Sequence, residues 1–320
     1  MFTLMTFFAP EVSRLLLVVL IVLVAASLIG WVLARRTTSE SGKATVKNLN
    51  ERVKSWWIMA GVLIAALASG KGGSVLIFAF MSFLALREYI TVTPTRLADH
   101  RTLFAMFFLV LPYQYWLVYT SWYGMFAIFV PVYAFILIPV LSVIRGDPKD
   151  FLERSARNQW GLLVCVFFIS HIPMLLNLRI PQLSHGNAGL ILFLVVVSQG
   201  SDVLQYCWGK LAGKRPIAPT VSPKKTIEGF IGGVLSASFL GALMHHLTPF
   251  GPLYAGLIAF VITLMGFFGG LVMSAIKRDR GIKDWGTMIE GHGGMLDRID
   301  SLCFSAPIYF HIIRYYFSAE

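Results

Sequence analysis

Apolar residues run along this chain in ten blocks separated by short polar or charged segments. They lie near Val12 to Ala34, Trp56 to Ser69, Ser74 to Ile90, Leu103 to Thr120, Trp122 to Ile144, Trp160 to Leu178, Ala188 to Trp208, Ile227 to Leu247, Leu253 to Ile276 and Ser301 to Phe317. Most approach the roughly 20 residues that cross about 30 Å of hydrocarbon at 1.5 Å per residue. The pattern predicts an all-α, polytopic membrane protein of about ten transmembrane helices. The second block is short and Gly70, Gly72 and Gly73 follow it, which predicts a shallow hairpin with the third. The polar stretch Thr37 to Lys54 is expected to be an exposed loop or an amphipathic surface helix. The first block outruns a signal-peptide core and its positive cluster follows it, so it reads as an anchor.

Of the 27 Lys and Arg residues, 23 fall in the loops after odd-numbered blocks, and only Arg14, Lys71, Arg179 and Arg314 fall on the other side. The positive-inside rule then makes those loops cytoplasmic and both termini external. Composition agrees: among the 320 residues 57% are hydrophobic and 13% charged, with a mean hydropathy of +0.72. That is half the charge of an ordinary soluble domain. The net charge of +11 therefore points to anionic headgroups and not to nucleic acid. Cys165, Cys207 and Cys303 all lie in apolar runs, which excludes a disulfide framework. The N-terminal part, residues 1–187, reads as a transmembrane scaffold, and residues 188–320 as the catalytic region, because the polar residues that need explaining gather there.

Three clusters carry candidate chemistry. The seventh block places Ser198, Gln199, Ser201 and Asp202 in an otherwise apolar helix. A carboxylate in hydrocarbon costs about 3 kcal/mol or more, so Asp202 is a cation ligand, a helix-to-helix hydrogen-bonding group, or a carboxylate at a shallower depth. The next loop holds Lys210, Lys214, Arg215, Lys224 and Lys225, with Ser222 and Thr226, just before a helix. Cations, hydroxyls and free N–H groups at a helix N-terminus suit phosphate, while anionic lipid is the plainer partner for the same loop. The third cluster, Ser274 to Ser301, mixes Lys277, Arg278, Lys283 and Arg298 with Asp284, Asp297 and Asp300 around His292, Gly293 and Gly294. So many carboxylates among cations suit a metal and phosphate site. Asp297 and Asp300 share a helix face at a spacing of three. Oxygen ligands without a Cys or His cluster favour Mg²⁺ over Zn²⁺. Glu228 reads as complementing its own helix N-terminus, and His171, His245, His246 and His311 as packed side chains.

The third cluster resembles the C-terminal signature of the phosphatidate cytidylyltransferase (CDP-diacylglycerol synthase) family. Ser274, Lys277, Arg278, Lys283, Asp284, His292, Gly293, Gly294, Asp297, Arg298 and Asp300 stand at the family's spacing, and Asp202, Gly209, Lys210 and Val221 to Gly229 are similar to its second landmark. The resemblance implies condensation of CTP with phosphatidate to CDP-diacylglycerol and pyrophosphate, in phospholipid biosynthesis, at a site facing the cytoplasm and the bilayer. It implies Mg²⁺, with room for a second monovalent or divalent cation, and CTP and bilayer phosphatidate as partners; a homodimer is a further expectation. Asp202, Asp297 and Asp300 are expected to hold metal. Lys210, Ser222, Lys224, Lys225, Thr226, Lys283 and Arg298 are expected to bind substrate, and Asp297, Lys277, Arg278, His292 and Asp284 to be catalytic.

Two positions depart from the family pattern: Glu290 stands where a proline is frequent, and Gly270 where an acid commonly precedes the Lys-Arg segment. The second departure removes an expected metal ligand, so a divergent paralogue acting on a related lipid phosphate stays open. A CTP-dependent polyprenol or lipid kinase and a transporter using Asp202 as a coupling-ion site are the other readings, the last without the paired broken helices such folds show.

Overall fold

The computed structural model describes residues 9–144, 146–183, 186–286 and 293–319. Among them, ten helices contain the ten apolar blocks: α1 (Pro10–Arg36), α2 (Glu40–Ala68), α3 (Gly70–Thr91), α4 (Leu97–Thr120), α5 (Tyr123–Val143), α6 (Phe151–Asn177), α7 (Ala188–Ala212), α8 (Ile227–Leu243), α9 (Pro252–Asp279) and α10 (Leu296–Phe317). Seven of them, α1, α3 to α7 and α9, are long and apolar enough to cross a membrane; α8 is apolar but has 17 residues. Helices dominate because hydrocarbon offers no water to unpaired backbone groups. The one departure among the described residues is a short antiparallel hairpin between α7 and α8, β1 (Pro216–Ala218) and β2 (Ser222–Thr226), which pairs Pro216 with Thr226 and Ala218 with Ser222.

The polar stretch after α1 is helical and continuous with the second apolar block. Ser39 caps it by accepting from the Gly42 N–H at 3.3 Å, and Val46 and Val53, seven residues apart, are among its buried positions. The α2–α3 joint is a hairpin, as expected, with Ser69 and Gly70 as its whole turn and Gly70 at φ +66°. Of its two arms, α3 has 22 residues and the length to cross. In α4, α5 and α6 a π-helical segment interrupts the regular ladder at Met106–Val110, Phe129–Ala134 and Leu163–Phe168. Pro112, Pro131 and Pro173 lie in or near these segments, where a missing donor is accommodated by widening the turn.

Helices α7 to α10 pack successively against one another. Small residues allow it: Gly229, Gly233, Ala237 and Gly241, each four apart, are buried along one face of α8. A Cβ at Gly233 would lie 2.8 Å from the Gln205 backbone, and one at Gly269 would lie 2.6 Å from the Phe304 ring. Close approach of backbones is the usual basis of helix association in lipid. Across the α9–α10 seam, the Ser305 hydroxyl donates to the Ile262 carbonyl at 2.9 Å. The shared core runs through both parts of the chain, from Leu86 and Met106 to Phe193, Tyr309 and Phe310.

Gly233→Val should therefore force α7 and α8 apart, at a cost of about 1–3 kcal/mol, and lower the thermal midpoint in detergent by several degrees. Gly61→Ala, where an added methyl meets nothing within 4 Å, should leave the midpoint unchanged or slightly raised.

Candidate active site

The ends of α7, β2, α9 and α10 converge, and they bring most of the three sequence clusters together. At the centre lies Asp297 in the first turn of α10. Its Oδ1 accepts from the Lys277 ammonium at 2.7 Å, and its Oδ2 accepts from the Trp285 and Gly294 backbone N–H groups at 2.7 and 2.9 Å. Both side chains of the ion pair are almost wholly buried, Asp297 at 4% and Lys277 at 10% exposure. Both oxygens are thus engaged. In this geometry Asp297 ties α10 to the end of α9 and to the segment after α9. Gly293, at φ +81°, turns the chain beneath it.

A second group lies beside it. Asp202 of α7 and Asp300 of α10 are within electrostatic reach of each other and of the Lys225 ammonium. Ser301 ties these helices together: its hydroxyl accepts from the Ser198 hydroxyl at 3.3 Å and also reaches Asp202. Gln199 donates to the Arg298 carbonyl at 3.1 Å. Lys225 lies 4.8 Å from the centre of the Phe267 ring, and its ammonium is 3.1 Å from where a Cβ at Gly270 would be. The position at which the family pattern has an acid therefore faces a lysine. Gly269, not Gly270, is the glycine that lets α10 pack close.

Arg278 is turned to the loops: its Nε donates to the Val221 carbonyl at 3.3 Å and its Nη1 to the Ile282 carbonyl at 2.9 Å, so it holds the hairpin against the end of α9. The Thr226 hydroxyl accepts from the Gly229 N–H at 3.1 Å and is the N-cap of α8. Glu228 serves its own helix terminus as expected, lying in the first turn of α8 and accepting from its own N–H, and it also accepts from the N–H groups of Lys214 and Arg215 at 3.0 and 3.2 Å and shapes the loop before β1. Arg298 is within reach of Asp297, Asp300 and Asp284. Of the remaining candidates, Lys224, Lys283 and Asp284 are exposed around this group, Lys210 is exposed at the end of α7, and Ser222 is half-buried on β2. His292 and Glu290 lie outside the described residues. Among the lone histidines, His171 is fully buried within a ring of Phe126, Phe167 and Phe310, whereas His246 and His311 are exposed, contrary to expectation.

One participant belongs to none of the three sequence clusters. Glu88, near the end of α3, is buried at 7% exposure, and its carboxylate accepts from the N–H groups of Met295 and Leu296, both at 2.8 Å. Beside it the Tyr89 and Trp285 rings lie 5.7 Å apart. The signal available was a carboxylate inside an apolar block, the same signal that singled out Asp202. Its neighbour Arg87 and its place near a block end made it resemble a boundary residue.

Known proteins share this sequence over most of its length. The sequence profile described as the cytidylyltransferase family matches residues 50–316. A protein of Escherichia coli (strain K12) named uncharacterized protein YnbB is 37% identical over 295 residues, 92% of this chain and 95% of that protein. The phosphatidate cytidylyltransferase of Aquifex aeolicus is 37% identical over 180 residues, 56% of this chain and 65% of the relative. That of Bacillus subtilis is 27% identical over 271 residues, covering 83% and 98%.

Removing the charge at the centre should show structurally. Asp297→Asn leaves the Lys277 ammonium buried without its counter-ion, which costs about 3 kcal/mol or more. A thermal midpoint lowered by several degrees in detergent is expected; an unchanged midpoint would mean that the pair is not holding α9 to α10.

Proposed function

Because the chain belongs to the phosphatidate cytidylyltransferase family, we propose that it transfers the cytidylyl group of CTP to phosphatidate, giving CDP-diacylglycerol and pyrophosphate. The observation that carries this reading is the group of Asp202, Asp300, Lys225 and Arg298, gathered from two helices and the hairpin at one end of the bundle. Carboxylates and cations interleaved in this way suit a ligand that brings both phosphate oxygens and a metal.

A phosphate oxygen of phosphatidate attacks the α-phosphorus of CTP. A new P–O bond forms, the α–β anhydride bond breaks, and its electron pair leaves with pyrophosphate. The nucleophile is already an anion, so the protein's task is alignment and screening of charge. Lys225 and Arg298 serve the phosphates, with Lys224 and Lys210 at the rim. Lys277, held by Asp297, fixes the end of α9, and Arg278 keeps the hairpin with its lysines in place. Asp202 and Asp300 fit Mg²⁺, a hard cation commonly bound through one or two carboxylates with water and substrate phosphates completing its shell. When bound, the metal would neutralise phosphate charge as the leaving group departs. A second reading, the same transfer to a related lipid phosphate, rests on Gly270 alone, which stands where the family pattern has an acid.

Purified protein given Mg²⁺, labelled CTP and phosphatidate should form CDP-diacylglycerol with release of pyrophosphate, and excess chelator should abolish it. Release of CDP would instead indicate a lipid kinase, and turnover only with another lipid phosphate would select the second reading. Asp300→Asn should raise the Mg²⁺ concentration for half-maximal activity about tenfold, since affinity follows the number of charged ligands. Gly270→Asp should lower it without loss of folded yield, because the new carboxylate meets the flexible end of Lys225.

The distribution of basic residues supports a site open to the cytoplasm. Single cysteines at Lys47, Pro148, Lys214 and Lys283 should label from the cytoplasmic side, and those at Gly72, Arg179 and Gly251 from the opposite side. Opposite labelling of the Lys214 and Lys283 positions would separate the hairpin from α10 and end the joint site.

A further inference from the structure

We infer that Glu88 of α3 is a positioning residue for the candidate active site, setting the angle at which α10 presents Asp297, Arg298 and Asp300.

Every helix begins with N–H groups that lack an intrahelical partner. The usual remedy is a Ser, Thr, Asp or Asn at the residue before the helix. At α10 that residue is Met295, whose side chain caps nothing, and Gly294 precedes it. The carboxylate of Glu88 takes that role from another helix, 207 residues earlier in the chain, with one oxygen on the Met295 N–H and the other on the Leu296 N–H. An ionised carboxylate away from water is costly unless donors meet it, and charge-assisted hydrogen bonds to backbone N–H groups are among the strongest available. The positive end of the α10 dipole adds to the attraction.

The surroundings are shaped to receive this side chain. Added methyls at Gly286 and Gly294 would meet the Glu88 carboxylate, at 3.0 Å for Gly286 and in outright overlap for Gly294. Gly294 does not have the left-handed backbone that Gly293 has. Its lack of a side chain is therefore a requirement of Glu88 and not of its own φ. The Tyr89–Trp285 ring pair lies at the same junction, and the Trp285 N–H is one of the donors to Asp297. Glu88 and Asp297 thus grip neighbouring backbone N–H groups, one from α3 and the other from within α10. Movement of α10 relative to α3 would displace Asp297 and Asp300 together, and a misplacement of about 1 Å can cost about a hundredfold in rate.

The catalytic part of this inference rests on the proposed transfer; the structural part does not. The test uses the full chain in detergent, with Glu88→Gln, Glu88→Ala, Gly294→Ala and the double variant Glu88→Ala/Gly294→Ala. Hydrogen exchange at Met295 and Leu296, thermal midpoint, and kcat and CTP KM per folded molecule are measured. In Glu88→Gln the amide group retains one acceptor and turns an N–H₂ toward the other donor. Exchange at the two amides should quicken about tenfold, and kcat should fall about 10- to 100-fold with CTP KM changed less than about threefold. Gly294→Ala should produce the same changes in an otherwise natural chain and add nothing to Glu88→Ala, because the overlap disappears with the carboxylate. Unchanged exchange in Glu88→Gln, an additive double variant, or a lowered midpoint with unchanged kcat would each overturn the inference. If Glu88→Ala does not fold, Glu88→Gln and Gly294→Ala decide by the same criteria. A natural chain without cytidylyl transfer would remove the proposed function, while exchange would still show whether Glu88 holds α10.

Discussion

A carboxylate shut away from water must be met by donors, and at the centre of this protein Asp297 is met by three: one ammonium and two backbone N–H groups. That constraint joins α9, α10 and the segment after α9 at one point, and the other polar residues of the site are arranged around it. The same solution recurs. Glu88 closes the start of α10, and Arg154, 2% exposed, is met by Asp147 and Asp99 where α4 and α6 begin. Charges placed deep in an apolar bundle fix geometry because each has few acceptable partners.

Features that depend on neighbouring residues were legible in the sequence. Ten apolar blocks became ten helices because hydropathy is a local property and hydrocarbon leaves the backbone few alternatives. The signature around Asp297 was legible because its residues follow one another closely in the chain, from the end of α9 through the segment after it to the start of α10. Features that depend on distant partners were not. Nothing near Glu88 in sequence announces Met295, and the Thr226, Glu228 and Arg278 side chains turned out to serve backbone groups of the hairpin and its flanks. The helical character of Thr37 to Lys54 rests on the Ser39 cap and on two buried valines one heptad apart, a weak pattern among so many polar residues. Asp202 was found because it is alone in an apolar run, but its neighbour Lys225 is brought there by a strand, and strands were not expected.

The division into a scaffold and a catalytic region also looks different once partners are known. Glu88 with Met295 and Leu296, and Tyr89 with Trp285, cross the boundary between residues 1–187 and 188–320 at the place where chemistry is expected. The C-terminal signature accounts for the charges gathered there. The orientation of α10 is shared with a helix that carries none of that signature.

The three π-helical segments govern where this chain tolerates change in length. A π turn stores an extra residue, and removing one there restores a regular ladder without disturbing the rest of the helix. Elsewhere each residue lost turns the remainder of a helix by about 100°. Helix α7 has no such slack between its start and Asp202. One residue deleted there would swing Asp202 away from Asp300, whereas α4, α5 and α6 each contain a place where the same deletion can be absorbed. Among the helices, the slack for a one-residue deletion thus lies in α4, α5 and α6, none of which carries Asp202, Asp297 or Asp300.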